Sequence, residues 1–333
     1  MKKDILVKAV ARLTNPPKGI LAADESAPTC DARFEKLNIP KTEENRRAYR
    51  ELLITTPGVE EYISGYILFD ETIRQKTKNG ESFPGVMQKK GLEVGIKVDG
   101  GTVDFSDHPG EKVTKGLEGL GERLMEYKKL GATFTKWRAV YNIGANTPTE
   151  ALMKENAARL SNYAMTCQEH DIMPIIEPEV LIDGEHNIEK CYEVTAKNLD
   201  IVFTELNKQK VFIPGIILKT SMVVSGKNAS IKATADEVAK MTVKCLKEHV
   251  PADIGAIVFL SGGQSEEDST IHLNLMHKMG PLPWNLTFSY SRAIQNPVLK
   301  HWAENPADIS GAQALLIERA RANSLASVGK YEG

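Results

Sequence analysis

The chain has 333 residues, 41% apolar and 26% charged, a globular mix long enough to bury a large core. Its 42 basic and 44 acidic residues leave a net charge of −2, without the basic excess that a duplex-binding surface requires, so nucleic acid is not expected as a partner. A membrane is not expected either: no apolar run nears the roughly 20 residues that cross a bilayer, and Asp4, Lys8 and Arg12 break up the N-terminus where a secretory leader would be continuous.

In chain order, residues 1–18 are predicted to form an amphipathic helix with Ile5, Ala9 and Leu13 on one face. A first strand follows at 19–24, then a helix over 43–54 begun by a Thr42 cap, and a second strand at 65–69. Residues 77–90, with their Gly and Pro, read as a surface excursion before a third strand at 93–99. A helix over 117–130 stops at Gly131, before a fourth strand at 132–138. Pro148, Thr149 and Glu150 open a helix over 149–170, which leads to a fifth strand at 172–179. Helices over 187–207, 234–249, 265–279 and 310–327 then alternate with strands at 211–220, 255–263 and 285–292.

Eight strands alternating with helices predict an α/β fold with parallel β-α units, and eight is the number that closes a (β/α)8 TIM barrel. An open doubly wound sheet would often carry G-x-G-x-x-G after its first strand; here the chain reads Glu25-Ser26-Ala27-Pro28-Thr29. No linker divides the sequence, so residues 1–333 are expected to form a single domain, with 1–18 as an N-terminal helical extension. Cys30, Cys167, Cys191 and Cys245 are far apart, as expected of reduced thiols in the cytoplasm and not of a disulfide frame or zinc knuckle.

The predicted strands end in residues that an apolar strand does not need: Asp24, Lys97 and Asp99, Lys136 and Arg138, Glu177 and Glu179, Lys219, Ser261-Gly262-Gly263, and Ser289 with Arg292. A single charge at a strand end is ordinarily a solvated loop residue. Six charged ends on the face where barrels of this kind keep their catalytic groups are harder to dismiss. Lys136/Arg138 and Glu177/Glu179 each have period-2 spacing, so both members of a pair lie on one side of their strand. The helix layer is apolar, so that side is the barrel mouth, where buried charges must pair.

A lysine desolvated there beside a second cation becomes a neutral amine, able to attack a carbonyl and form a Schiff base. Lys219, at the end of the apolar run Ile216-Ile217-Leu218, is the best placed, with Lys136 as the neighbouring cation and the carboxylates as proton carriers. Ser261-Gly262-Gly263 together with Ser289 to Arg292 reads as a phosphate site after the seventh and eighth strands, although S-G-G alone is more often a plain turn.

These residues lie in blocks that resemble the class I fructose-1,6-bisphosphate aldolases, the metal-independent Schiff-base type. The blocks are GILAADES (19–26), TEENRRAYR (42–50), GIKVD (95–99), KWR (136–138), EPE (177–179), IILK (216–219), FLSGGQSE (259–266) and FSYSRA (288–293). The resemblance runs in order from about residue 18 to 331. It implies reversible cleavage of fructose 1,6-bisphosphate to dihydroxyacetone phosphate and glyceraldehyde 3-phosphate, with no cofactor and no metal, in a homotetramer acting in glycolysis and gluconeogenesis.

By the same resemblance, Lys219 is the Schiff-base lysine and Glu177 the acid/base that expels water from the carbinolamine. Asp24 takes the C4 hydroxyl proton, Lys136 sits beside the nucleophile, and Glu179 is the orienting carboxylate. Lys97 and Arg138 correspond to substrate-binding cations. Ser26 and Thr29 lie near the C6 phosphate; Ser261, Gly262, Ser291 and Arg292 match the C1-phosphate site. Three departures stand out. Ser291 replaces a Gly of some members, and Thr220 replaces a common Pro. Residues 325–333 end soon after the Gly329-Lys330-Tyr331 block, without the long tail and terminal tyrosine of many members, and Tyr331 is not given that tyrosine's role.

Two other functions compete with this reading. A zinc-dependent aldolase needs a histidine cluster, but the seven histidines fall in predicted helices and loops. A binding or scaffold protein on a retired barrel would lack the nucleophile or the acids, and neither is missing.

Overall fold

The computed structural model describes residues 1–333. The elements run α1 (Lys3–Leu13), β1 (Gly19–Ala23), α2 (Ala27–Glu35), α3 (Glu43–Thr55), β2 (Ile63–Leu68), α4 (Asp70–Arg74), α5 (Phe83–Lys89), β3 (Glu93–Lys97), β4 (Thr102–Asp104), β5 (Lys112–Thr114) and α6 (Leu120–Lys129). Then come β6 (Phe134–Tyr141), α7 (Glu150–Glu169), β7 (Met173–Val180), α8 (Ile188–Lys208), β8 (Ile217–Thr220), α9 (Ala235–His249), β9 (Ala256–Phe259), α10 (Glu266–Lys278), β10 (Leu286–Tyr290), α11 (Arg292–Glu304) and α12 (Ile309–Ala326). Eight parallel strands close in the order β1-β10-β9-β8-β7-β6-β3-β2, and β4 and β5 form a separate antiparallel pair. The predicted closed barrel is therefore the observed one.

Alternation along the strands builds the site. On β6, Thr135 and Trp137 face α7, where the Thr135 hydroxyl lies 2.7 Å from the Tyr163 hydroxyl and the Trp137 ring stacks on Tyr163 at 5.4 Å. The intervening Phe134 and Lys136 turn into the lumen. Phe134 joins Ile20, Ala22, Ile67, Met173, Ile175, Ile217, Ala256 and Val258 in an apolar plug. Gly95 makes room for it: a Cβ there would lie 2.2 Å from the Phe134 ring. One step further along, the same strands present Asp24, Lys136, Glu177 and Lys219, so the charges stand on a dry floor. That floor is closed from below by Leu6, Ala9, Val10 and Leu13 of α1. The helix exists as predicted, with Ala9 and Leu13 on its buried face; Ile5 is exposed, and Leu6 and Val10 complete that face instead.

The expected helix starts are present: the Thr42 side chain accepts from Asn45 N–H, and that of Thr149 from Leu152 N–H. The supposed surface excursion at 77–90 is corrected. It contains α5, capped by Ser82, with Phe83 and Met87 fully buried. The sixth strand is shorter than predicted, because a single 3₁₀ turn at Ile213–Gly215, with Pro214 inside it, precedes β8.

Candidate active site

A cavity of about 450 Å³ opens at the C-terminal end of the barrel. It is lined by the thirteen residues to which the resemblance gives a role: Asp24, Ser26, Thr29, Lys97, Lys136, Arg138, Glu177, Glu179, Lys219, Ser261, Gly262, Ser291 and Arg292. Its centre is a line of alternating charges. Lys219 Nζ lies 3.2 Å from Glu177 Oε1; Glu177 Oε2 lies 3.0 Å from Lys136 Nζ; Lys136 Nζ lies 2.7 Å from Asp24 Oδ2. Lys219, Glu177 and Lys136 are each 3% exposed, so this chain of ions is dry enough for each charge to need its neighbour.

Lys136 is the cation neighbour expected of Lys219, and Glu177 stands between them with one oxygen toward each. A correction concerns Glu179. It accepts from Arg138 Nε at 2.5 Å, while Lys136 is held by Glu177 and Asp24. On this geometry Glu179 orients Arg138.

Burial alone would raise the Asp24 carboxyl, but the charges of Lys136 and Lys219 and a hydrogen bond from Lys136 outweigh it and bring the pKa down to about 2. Glu177 is moved the same way: burial raises it, and Lys136, Lys219 and Arg138 more than offset this. Burial disfavours charge on Lys136, but Asp24 and Glu177 prevail and hold it as a cation. Asp24 thus has a folded pKa below its unfolded value, so its contribution is complete above about pH 4 and is lost as pH falls toward 2. The shift from 3.8 to about 2 corresponds to about 2 kcal/mol. Urea unfolding between pH 5 and 2.5 should show wild type losing up to about 2 kcal/mol more than Asp24→Asn; equal losses would contradict the pairing.

Helix starts leave backbone donors open at the cavity. Ser26 caps α2 without bonding the helix, its hydroxyl 3.0 Å from that of Thr29. Ser291 caps α11 and likewise leaves the first-turn N–H groups without a side-chain partner. Gly262 and Gly263 have φ of +20° and +84°, and a Cβ on Gly263 would lie 2.6 Å from Ile182, so this turn requires its glycines. The Ser291 hydroxyl points elsewhere and donates to Glu25 Oε1 at 2.7 Å.

Glu25 is the residue that sequence reading missed. It holds Arg33 of α2 at 2.5 Å and Arg50 of α3 at 2.8 Å and accepts from the Ser291 hydroxyl, tying the loop after β1 to both helices and to the start of α11. Its position next to Asp24 was the available signal. No three His, Cys, Asp or Glu side chains come together as a metal site.

The family model of fructose-bisphosphate aldolase class-I matches residues 5–333. The chain belongs to the class I fructose-bisphosphate aldolases. A probable class 1 aldolase of Xanthomonas campestris pv. campestris is 52% identical over 334 residues, covering the whole of both chains. The cytosolic fructose-bisphosphate aldolase 4 of Arabidopsis thaliana is 48% identical over 329 residues, 98% of this chain and 84% of that one. A solved aldolase of Plasmodium falciparum, in a complex with TRAP and a small-molecule inhibitor, superposes with a TM-score of 0.98 at 44% identity, over 99% of this chain and 96% of that one. In this aldolase, then, the expected barrel carries its charged line at the end where barrel enzymes keep their chemistry.

Proposed function

We propose that Lys219 is the nucleophile through which this aldolase reversibly cleaves fructose 1,6-bisphosphate to dihydroxyacetone phosphate and glyceraldehyde 3-phosphate. The observation that carries the assignment is the line Lys219–Glu177–Lys136–Asp24, which sets a buried amine against a carboxylate and a second carboxylate beyond it. Lys219 Nζ passes a proton to Glu177 and attacks the C2 carbonyl. Glu177 returns that proton to the C2 hydroxyl of the carbinolamine, which leaves as water and generates a protonated imine. Asp24, held as an anion, takes the proton of the C4 hydroxyl. The C3–C4 bond breaks, its electron pair enters the imine as an enamine, and glyceraldehyde 3-phosphate departs. Protonation of the enamine at C3 and hydrolysis of the imine release dihydroxyacetone phosphate and restore Lys219.

In the resting enzyme Lys136 stands between the two carboxylates and holds both ionised. Arg292, with Ser261, Gly262 and the Ser291 backbone, takes the C1 phosphate; Lys97 and Arg138 bind the sugar; Ser26 and Thr29 lie at the C6 end. The residues 1–333 act as one domain, and a homotetramer in the cytoplasm belongs to the same proposal. The cytoplasmic placement is supported by four buried free thiols and the cytosolic Arabidopsis relative; the homotetramer rests on the family resemblance. No helix is long and apolar enough to cross a membrane. Light scattering reads the assembly directly. The nucleophile is tested by incubating the protein with dihydroxyacetone phosphate, reducing with borohydride and mapping the adduct by mass spectrometry. A single adduct on Lys219 is expected; a label on another residue, or none, removes the assignment.

A further inference from the structure

Seven cations and four carboxylates line the cavity. Most of the cations are already matched. Lys97 is held by Asp99, Lys136 by Asp24 and Glu177, Lys219 by Glu177, Arg138 by Glu179, and Arg33 by Glu25. Two remain without an acidic partner: Arg292, at the Ser261-Gly262 end, and Lys36. A substrate with a phosphate at each end needs a free cation at each end, because a matched cation must break its own ion pair to serve.

The local geometry directs Lys36 to the other end. Thr29, Ala32, Arg33 and Lys36 all line the cavity, at the spacing of one helical face, so this face of α2 is a cavity wall. Lys36 follows Glu35 with helical backbone angles of −64° and −18°, and so continues that face. Side chains on a helix lean toward its N-terminus, which carries the Lys36 stem back over Ala32 toward Thr29. Ala32 is only a methyl group and leaves the path clear. Arg33, the longer cation on the same face, is turned away to Glu25, Gln295 and Asn296. The Ser26 and Thr29 hydroxyls and the α2 N-terminus offer hydrogen bonds at this end but no full charge.

We propose that Lys36 is the specificity cation for the phosphate at the C6 end of the sugar, the phosphate that leaves on glyceraldehyde 3-phosphate. The inference rests on the aldolase reading above. In the condensation direction the two phosphates arrive on separate molecules, so each end is read alone. Lys36→Ala, at an exposed position that does not endanger the fold, is expected to raise KM for glyceraldehyde 3-phosphate about fivefold. KM for dihydroxyacetone phosphate and kcat should stay unchanged. Lys36→Arg should restore the wild-type KM, and the difference between wild type and Lys36→Ala should shrink at high salt. An unchanged KM for glyceraldehyde 3-phosphate, or an equal rise for both substrates, overturns the role of Lys36 and leaves the aldolase reading intact. A wild-type protein that condenses neither pair removes the aldolase reading, and this inference with it.

Discussion

Lys219→Met is expected to lower kcat for fructose 1,6-bisphosphate cleavage on the order of 10⁵- to 10⁶-fold, the scale on which deletion of a covalent nucleophile acts. The fold should survive. Methionine keeps most of the length of the stem in the apolar setting of Ile217 and Val258, and Glu177 retains Lys136 at 3.0 Å as its counter-ion. No buried carboxylate is left alone, so the cost in stability should stay below about 1.5 kcal/mol. Single-turnover cleavage, with far-ultraviolet circular dichroism and urea unfolding on the same preparation, separates the two effects. A variant that retains a hundredth of wild-type kcat would show that another amine forms the imine. A variant that loses activity because it unfolds would show that the lysine is held by more than Glu177.

The strands were legible as short apolar runs, and six of the eight switch to a charged residue at their end, as in Phe134-Thr135-Lys136 and Ile175-Ile176-Glu177. That switch marks the mouth of the barrel and picks out its charged ends; Thr29 and Ser291 were named only through the resemblance to the class I aldolases. Which acid meets which base was not legible. β6 and β7 pair with Arg138 opposite Glu177, yet the inclined strands bring Arg138 to Glu179 and Lys136 to Glu177. The stagger between strands decides this, and the composition of either strand carries no record of it. α11 was hidden for a different reason: Pro297 lies inside it and reads as a breaker. Arg50, on a helix, is 2% exposed because its partner Glu25 comes from a loop 25 residues away, a pairing no local pattern carries.

Lys136→Met tests the charge line from its middle, and both activity and stability should fall. Asp24 loses its counter-ion outright and Glu177 keeps only Lys219, so two carboxylates on one dry floor are left with one cation. Stranding a buried charge costs about 3–5 kcal/mol, less whatever the site recovers by taking up a proton. A loss of about 3 kcal/mol at pH 7 is therefore expected. The pH dependence should change sign. In wild type the depressed carboxyls bind fewer protons folded than unfolded, so stability increases with pH through the acid range. In the variant, burial raises the folded carboxyl pKa above its unfolded value of about 4. The folded state then binds the extra proton, and its stability declines as pH rises from about 4 through that raised pKa. Activity should drop by about 10³-fold, since Asp24 is no longer held as the base that receives the C4 proton. Urea unfolding of both proteins at pH 3, pH 5 and pH 8, beside kcat at pH 5 and pH 8, is sufficient. Parallel stability curves would mean that Lys136 is not the shared counter-ion, and near-wild-type kcat would mean that the two carboxylates hold their ionisation without it.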